Sequence, residues 1–156
     1  MVAIYVQTSL DYNSTKKIRV ACIGNSITEL TSYPINLQIR LGSNYRVENF
    51  GSSGATVLID TYTPYIYQTA FFNAKNFLPD IAVVMLGTND ARTDNFKSIE
   101  NFFSDYVKLI STIQGLDNKP KILLVKPPPI FDNNLGLEVT NFSEKIIPLI
   151  EDIAND

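Results

Sequence analysis

Four short apolar runs alternate with longer stretches in which apolar residues recur at helical spacing. The runs are rich in β-branched residues, which is typical of strands buried on both faces. They predict β-strands at about 18–23, 45–50, 81–85 and 121–126. The intervening stretches predict helices at about 33–41, 66–77, 95–114 and 139–154. This alternation predicts an α/β domain with a doubly wound parallel sheet and right-handed crossovers.

Glycine and proline mark several of the predicted element ends. Gly42 and Gly115 suit helix C-termini, and the prolines at 127–129 should end the fourth strand. Pro148 lies inside the last helical stretch and should kink it or break one turn. The segment 57–65 is irregular, and its sequence fits a pocket wall as well as a surface loop with aromatic packing.

Composition narrows the class of protein. The chain has 156 residues, of which 45% are hydrophobic, and this suits one domain with its own core. A net charge of −3 without a basic block argues against nucleic acid and anionic membrane surfaces as partners. Cys22, the single cysteine, lies in the first strand and should be a small core residue.

The sequence contains no apolar stretch of the roughly 20 residues needed to span a membrane. Residues 1–10 lack a basic start and fit a secretory signal badly, so the compartment stays open.

Three of the predicted strands end in turns made of small and polar residues. Ser26 follows the first strand, Gly54 the second and Asn89 the third. Since parallel strands end at one edge of a sheet, we expect the Ser26 hydroxyl, the Gly54 N–H and the Asn89 amide to surround one point. Those groups are the parts of a serine nucleophile and its oxyanion hole.

In this order, the three turns resemble the first three motif blocks of the SGNH hydrolases, also called GDSL-type esterases. Residues 24–28 resemble the nucleophile block, although Asn25 replaces the more usual Asp. Residues 53–56 resemble the family's second block, with Gly54 at the position of its glycine, and residues 87–90 resemble the Gly-x-Asn-Asp block.

The resemblance implies a role for each matching residue. Ser26 is the nucleophile, and the oxyanion hole is formed by the N–H of Ser26, the N–H of Gly54 and the side chain of Asn89. Supporting roles fall to Gly24, Asn25 and Asp90, with Asp90 holding its loop and Asn25 hydrogen-bonding the turn. Ser26 at a strand–helix turn also suits a helix N-cap. No metal or cofactor is implied.

The resemblance also implies a three-layer α/β/α fold of the flavodoxin-like type, with strand order 2-1-3-4 and a fifth strand beyond the fourth. The family's Asp-x-x-His block, which supplies the catalytic base, has no counterpart because the chain contains no histidine. We therefore expect residues 1–17 to be a lead-in and residues 18–156 to be a single SGNH-like domain that is incomplete at its C-terminus, with the fifth strand missing.

The implied function is hydrolysis of a small carboxylic ester, either an acetyl ester of a carbohydrate or a lysophospholipid. Without the histidine, the chain as given should be nearly inactive, and the alternative is a non-catalytic SGNH-like binding module. Lys126, at the end of the fourth strand, is a weak alternative base, since Ser–Lys pairs occur in other hydrolases.

A missing fifth strand would leave the fourth strand as an open apolar edge and leave the apolar face of the last helix partly open. Such an edge recruits other chains, so we expect self-association through 121–126 unless the apolar run at 2–6 covers it.

Overall fold

Four parallel strands form one sheet at the centre of the computed structural model, which describes residues 16–155. The strands are β1 (Ile18–Gly24), β2 (Tyr45–Gly51), β3 (Ile81–Met85) and β4 (Lys121–Leu124). Their order is β2-β1-β3-β4, which confirms the predicted topology. Gly24 pairs with Gly51 on one side and with Met85 on the other. The first three strands therefore end at the same level.

The described part of the chain also contains six α-helices: α1 (Ser26–Leu30), α2 (Tyr33–Leu41), α3 (Thr69–Asn76), α4 (Phe102–Gln114), α5 (Val139–Asn141) and α6 (Ile147–Asn155). Single turns of 3₁₀-helix occur at Tyr65–Tyr67 and Asn89–Ala91, a longer 3₁₀ segment spans Phe96–Asn101, and a π-helical turn spans Phe142–Ile146.

The sheet buries its two faces against different helices, which gives the predicted α/β/α layers. Ala21 and Val84 lie in the main core with residues of α3, α4 and α6. The alternate residues Val83 and Met85 share a cavity wall with Leu37 of α2. Cys22 is completely buried, as expected of a core residue, and burial raises the pKa of its thiol to about 11.

Several predicted helices are interrupted, and each break falls at a single residue or a single turn. Gln68 has an extended backbone and separates the 3₁₀ turn at Tyr65–Tyr67 from α3. Ser98 leaves helical geometry before α4 begins. The π-helical turn immediately precedes α6, where Pro148 has no N–H to continue the regular ladder.

The apolar face of the last helical stretch is buried at its centre and partly open at its margins. Ile146, Ile150 and Ile153 are all buried, and they belong to the same core cluster as Leu109 and Ile113 of α4. Val139 is 38% exposed, and Leu149 is half-buried.

The run at 2–6 and most of the lead-in at 1–17 lie outside the described residues. Within residues 16–155, no helix combines the length and the apolar character that a membrane crossing requires.

Candidate active site

The first turn connects β1 to α1 and presents Ser26 as the first helical residue. Asn25 is the N-cap, and its buried side-chain oxygen accepts a hydrogen bond from the Ile27 N–H at 2.9 Å. Asn25 therefore caps α1, a role that also suited Ser26. The Ser26 side chain is half-buried. Gly24 is needed for space, because a Cβ there would lie 2.0 Å from the Thr28 hydroxyl oxygen.

The second turn is tied to the first by backbone and side-chain contacts. The Ser52 N–H donates to the Gly24 carbonyl at 2.9 Å. The Ser53 N–H donates to the Glu29 carboxylate of α1 at 2.7 Å, and the Ala55 N–H donates back to the Ser52 carbonyl at 3.1 Å. These contacts hold the turn beside the helix that carries Ser26.

Gly54 differs from its neighbours because its N–H has no hydrogen-bond acceptor among residues 16–155. Its φ of +77° lies in the left-handed region that favours glycine. The Thr63 hydroxyl donates to its carbonyl at 2.8 Å. The turn therefore fixes the Gly54 peptide and leaves its N–H free.

The third turn brings Asn89 to Gly54. The Asn89 side-chain amide donates to the Ala55 carbonyl at 2.9 Å, and Asn95 donates to the Asn89 carbonyl at 2.9 Å. Because a primary amide carries two N–H groups, one of them is left for a ligand. Gly54 and Asn89 line one cavity of about 170 Å³.

Ser26 is not among the residues that line this cavity. The hydrogen bond from the Ser53 N–H to the Glu29 carboxylate ties the helix of Ser26 to the turn that contains Gly54. The convergence of the Ser26 hydroxyl with the other two groups on one point stays a prediction.

Asp90 is completely buried and holds the second turn to the third. Its two carboxylate oxygens accept hydrogen bonds from the Val57 N–H at 3.1 Å and the Leu58 N–H at 2.8 Å. Burial raises the pKa of this carboxyl to about 7, although the backbone donors oppose the shift.

The structure pairs Lys126 with a carboxylate. Its amine lies 2.6 Å from the Glu151 carboxylate of α6, in an exposed ion pair. This contact gives the amine a partner other than Ser26 and disfavours the alternative base.

A larger apolar cavity of about 590 Å³ has Ile27, the residue after Ser26, in its lining. It is lined by Ile27 and Tyr33 near the first turn and by Met85, Val125 and Pro128 at the β3–β4 side. The Tyr33 hydroxyl is hydrogen-bonded with the Thr28 hydroxyl at 3.1 Å. Ser26 is half-buried, and the next residue along the chain, Ile27, contributes to the wall of this apolar cavity.

Glu29 is the site residue that sequence reasoning missed. Its spacing from Ser26 fits a Ser-x-x-Glu capping box, which would have marked it as a helix-start residue. Its carboxylate instead reaches the second turn, 24 residues away along the chain. The capping-box motif concerns only neighbouring residues, so it does not predict the contact between Glu29 and Ser53.

Comparison with known proteins assigns the family. The model of the GDSL-like lipase/acylhydrolase family matches residues 22–154. The chain belongs to the GDSL-like lipase/acylhydrolase family. This confirms the resemblance to SGNH hydrolases that the three turns indicated.

One curated relative of this GDSL-like chain is an acetylxylan esterase of Xylanibacter ruminicola, with 33% identity over 162 aligned residues. The alignment covers 88% of the chain, and the chain spans about a third, 34%, of that protein's length.

Solved structures share the fold. A carbohydrate acetylesterase family member from Sinorhizobium meliloti superposes with a TM-score of 0.67 at 23% identity, covering 90% of this chain and 79% of that one. The native aryl esterase of M. smegmatis gives a TM-score of 0.68 at 20% identity, covering 90% of this chain and 80% of that one. At these identities the likeness establishes the α/β/α fold of the family member and leaves its substrate open.

Proposed function

We propose that this GDSL-like chain carries the nucleophile and oxyanion hole of a serine esterase that removes acetyl groups from carbohydrate. Ser26 attacks the acyl carbonyl, and the N–H groups of Ser26, Gly54 and the Asn89 amide receive the oxyanion that forms. The observation that carries the proposal is the cavity shared by Gly54 and Asn89, in which one backbone N–H and one amide N–H have no acceptor among residues 16–155.

The size of that cavity favours an acetyl group as the acyl part of the substrate. At about 170 Å³ it suits a small acyl or alcohol fragment rather than a long chain. The acetylxylan esterase relative is named for an acetylated carbohydrate, which supports the same choice.

The chain contains no histidine, so the reaction as proposed lacks its general base. Binding and the oxyanion hole alone retain a rate roughly 10³–10⁴-fold above water. We expect this chain to turn over short esters far more slowly than a typical enzyme rate of about 10 s⁻¹.

The test is hydrolysis of 4-nitrophenyl acetate with and without added imidazole, which can serve as a diffusible base. Imidazole should accelerate the wild-type chain beyond its own background, and the same addition to Ser26→Ala should give the background alone. Equal rates for the wild type and Ser26→Ala would overturn the nucleophile assignment. Fast turnover without imidazole would instead require a base in the chain, and Lys126→Ala would be the first variant to measure.

A longer acyl ester, such as that of a lysophospholipid, is the second candidate substrate. The apolar cavity that begins at Ile27 favours it, because its volume of about 590 Å³ suits an alkyl chain. The acetate, butyrate and octanoate esters of 4-nitrophenol separate the two. Rates that fall with chain length support acetyl, whereas rates that rise favour the longer acyl group.

The non-catalytic binding module is also favoured by one observation, the lack of histidine. It predicts that acetylated xylo-oligosaccharide binds and that neither the wild type nor Ser26→Ala hydrolyses it, even with imidazole.

A further inference from the structure

An exposed aromatic ring stands at the wall of the cavity that holds Gly54 and Asn89. Tyr62 is 94% exposed, and it lines this cavity together with Thr63, Arg92 and Asp94. Exposure of this degree leaves both faces of a tyrosine ring available to a ligand, which is unusual for so large an apolar surface.

A second polar cavity continues from the first. Its volume is about 220 Å³, and it shares Tyr62, Asp94 and Asn95 with the cavity of about 170 Å³. The two cavities together form a groove that we call the Tyr62 groove. Its remaining lining residues are Gly54, Asp60, Thr61, Thr63, Asn89, Arg92 and Lys97. Within the described part of the chain, no aliphatic residue lines either cavity.

The segment that carries Tyr62 is anchored on both sides. The Thr61 hydroxyl oxygen lies 2.6 Å from that of Thr56 and donates to the Leu58 carbonyl at 3.0 Å. The Thr63 hydroxyl donates to the Gly54 carbonyl at 2.8 Å. Tyr62 is therefore exposed on a fixed backbone, which lowers the entropy cost of using its ring for binding.

The part of the Tyr62 groove that Arg92 and Asp94 line is held by an ion pair between these two residues. The Arg92 guanidinium donates to both carboxylate oxygens of Asp94, at 3.0 and 3.1 Å, and its third nitrogen donates to the Leu135 carbonyl at 3.1 Å. The hydrogen bond from Arg92 lowers the pKa of Asp94. The remaining lone pairs of Asp94 stay available as hydrogen-bond acceptors.

The charges along the Tyr62 groove balance. Arg92 and Lys97 contribute two positive charges, and Asp60 and Asp94 contribute two negative charges. A groove with no net charge and with many donors and acceptors suits a neutral polyhydroxylated ligand better than a phosphate or a carboxylate.

We propose that the Tyr62 groove, outside its end at Gly54 and Asn89, is the subsite for the sugar part of the substrate, with a pyranose ring packed on Tyr62 and its hydroxyls hydrogen-bonded by Asp94 and Asn95. The inference rests on the proposed esterase function only in placing the acyl group at Gly54 and Asn89. Tyr62 is a specificity-determining residue in this assignment. Its ring contributes through C–H contacts with the sugar face and by excluding water there.

The test is binding of unmodified xylotetraose to the full chain by calorimetry or NMR titration, which needs no turnover. Tyr62→Ala should weaken binding about tenfold, whereas Tyr62→Phe keeps the ring and should bind within about twofold of wild type. Tyr67→Ala is the matched control, because Tyr67 is 68% exposed and lines neither cavity. It should bind like the wild type.

Two results would overturn the proposal. One is equal binding by Tyr62→Ala and the wild type. The other is no detectable binding of xylotetraose by the wild type up to about 10 mM, the weak end of specific recognition. Thermal unfolding of each variant checks that it is folded. The esterase proposal is judged separately, by Ser26→Ala on 4-nitrophenyl acetate, an ester that contains no sugar.

Discussion

Asp90 links two of the three turns through a carboxyl group that has no contact with solvent. Its hydrogen bonds from the Val57 and Leu58 N–H groups would stabilise the ionised form, but the burial cost is larger and raises its pKa to about 7. An unfolded aspartate has a pKa near 3.8. The folded protein therefore holds one more proton than the unfolded chain between these two values.

This difference predicts a pH dependence of stability. A raised carboxyl pKa gives the fold a contribution that is present below about pH 4 and lost progressively as the pH rises to about 7. Asp90→Asn removes the titrating group, so the free energy of unfolding of the wild type relative to this variant should fall by on the order of a few kcal/mol across that window. Urea unfolding of both proteins at several pH values measures it. A constant difference would contradict the prediction.

Asn89 offers a residue-scale test of the oxyanion hole. Asn89→Ala should lower kcat for 4-nitrophenyl acetate, measured with imidazole present, by roughly 10²-fold, because a donor to the developing oxyanion is lost. Asn73→Ala is the matched control, since Asn73 is exposed on α3 and lines neither the cavity of Gly54 and Asn89 nor the apolar cavity. An unchanged kcat in a folded Asn89→Ala protein would exclude the amide from the oxyanion hole.

At the scale of single residues, the sequence allows a prediction where a side chain bonds its own turn. Asn25 could be expected to bond its own turn because the acceptor and the donor are two residues apart. The contact from Glu29 to Ser53 could not, since it depends on how close β2 brings the second turn to α1. The segment 57–65 could be expected to form a pocket wall or a surface loop, but its partners in the Tyr62 groove could not be predicted, because only the fold brings Gly54, 60–63 and 89–97 together.

At the scale of elements, the strand ends require glycine because α1 packs directly on them. A Cβ on Gly51 would lie 2.2 Å from the Glu29 backbone nitrogen, a clash with main chain that side-chain rotation cannot relieve. The same close approach keeps the Glu29 carboxylate within reach of Ser53. Packing of one helix against one strand end thus sets the position of the second turn relative to Ser26.

Gly51→Ala should therefore destabilise the fold by at least about 2 kcal/mol, the scale of an overpacked site. Gly115→Ala is the control, because Gly115 ends α4 with an ordinary helical φ of −74° and its nearest backbone contact is looser, at 3.2 Å. Chemical denaturation of the two variants compares them. A loss for Gly51→Ala no larger than for Gly115→Ala would show that α1 can move away from β2.

Helix interiors were less predictable than strand order. The order followed from the resemblance to SGNH hydrolases, whereas the breaks depend on single backbone angles, such as the extended Gln68 before α3. The expectation of a partly open last helix considered only the sheet as its support, so it did not anticipate the burial of Ile150 and Ile153. Helix α4 supplies that support from the side.

For the whole molecule, the edge of β4 remains the feature with the largest consequence for association. Among the described residues, β4 pairs only with β3, and its other edge has no strand. Ile122 and Leu124 pack against the core, while Leu123 is 41% and Val125 38% exposed. Val125 also lines the apolar cavity of about 590 Å³, so the edge and the cavity form one continuous apolar surface.

We expect a chain with this surface to self-associate, because an unpaired strand edge beside apolar side chains favours pairing with another copy. Leu123→Lys and Val125→Lys together should shift the chain towards monomer in light scattering at tens of micromolar, since a charged residue on an edge opposes strand pairing. Ile39→Lys, at an exposed position on α2 away from β4, is the control and should leave the association unchanged. A wild-type chain that is monomeric at that concentration would contradict the prediction. Association that survives the double substitution would move the interface away from the β4 edge.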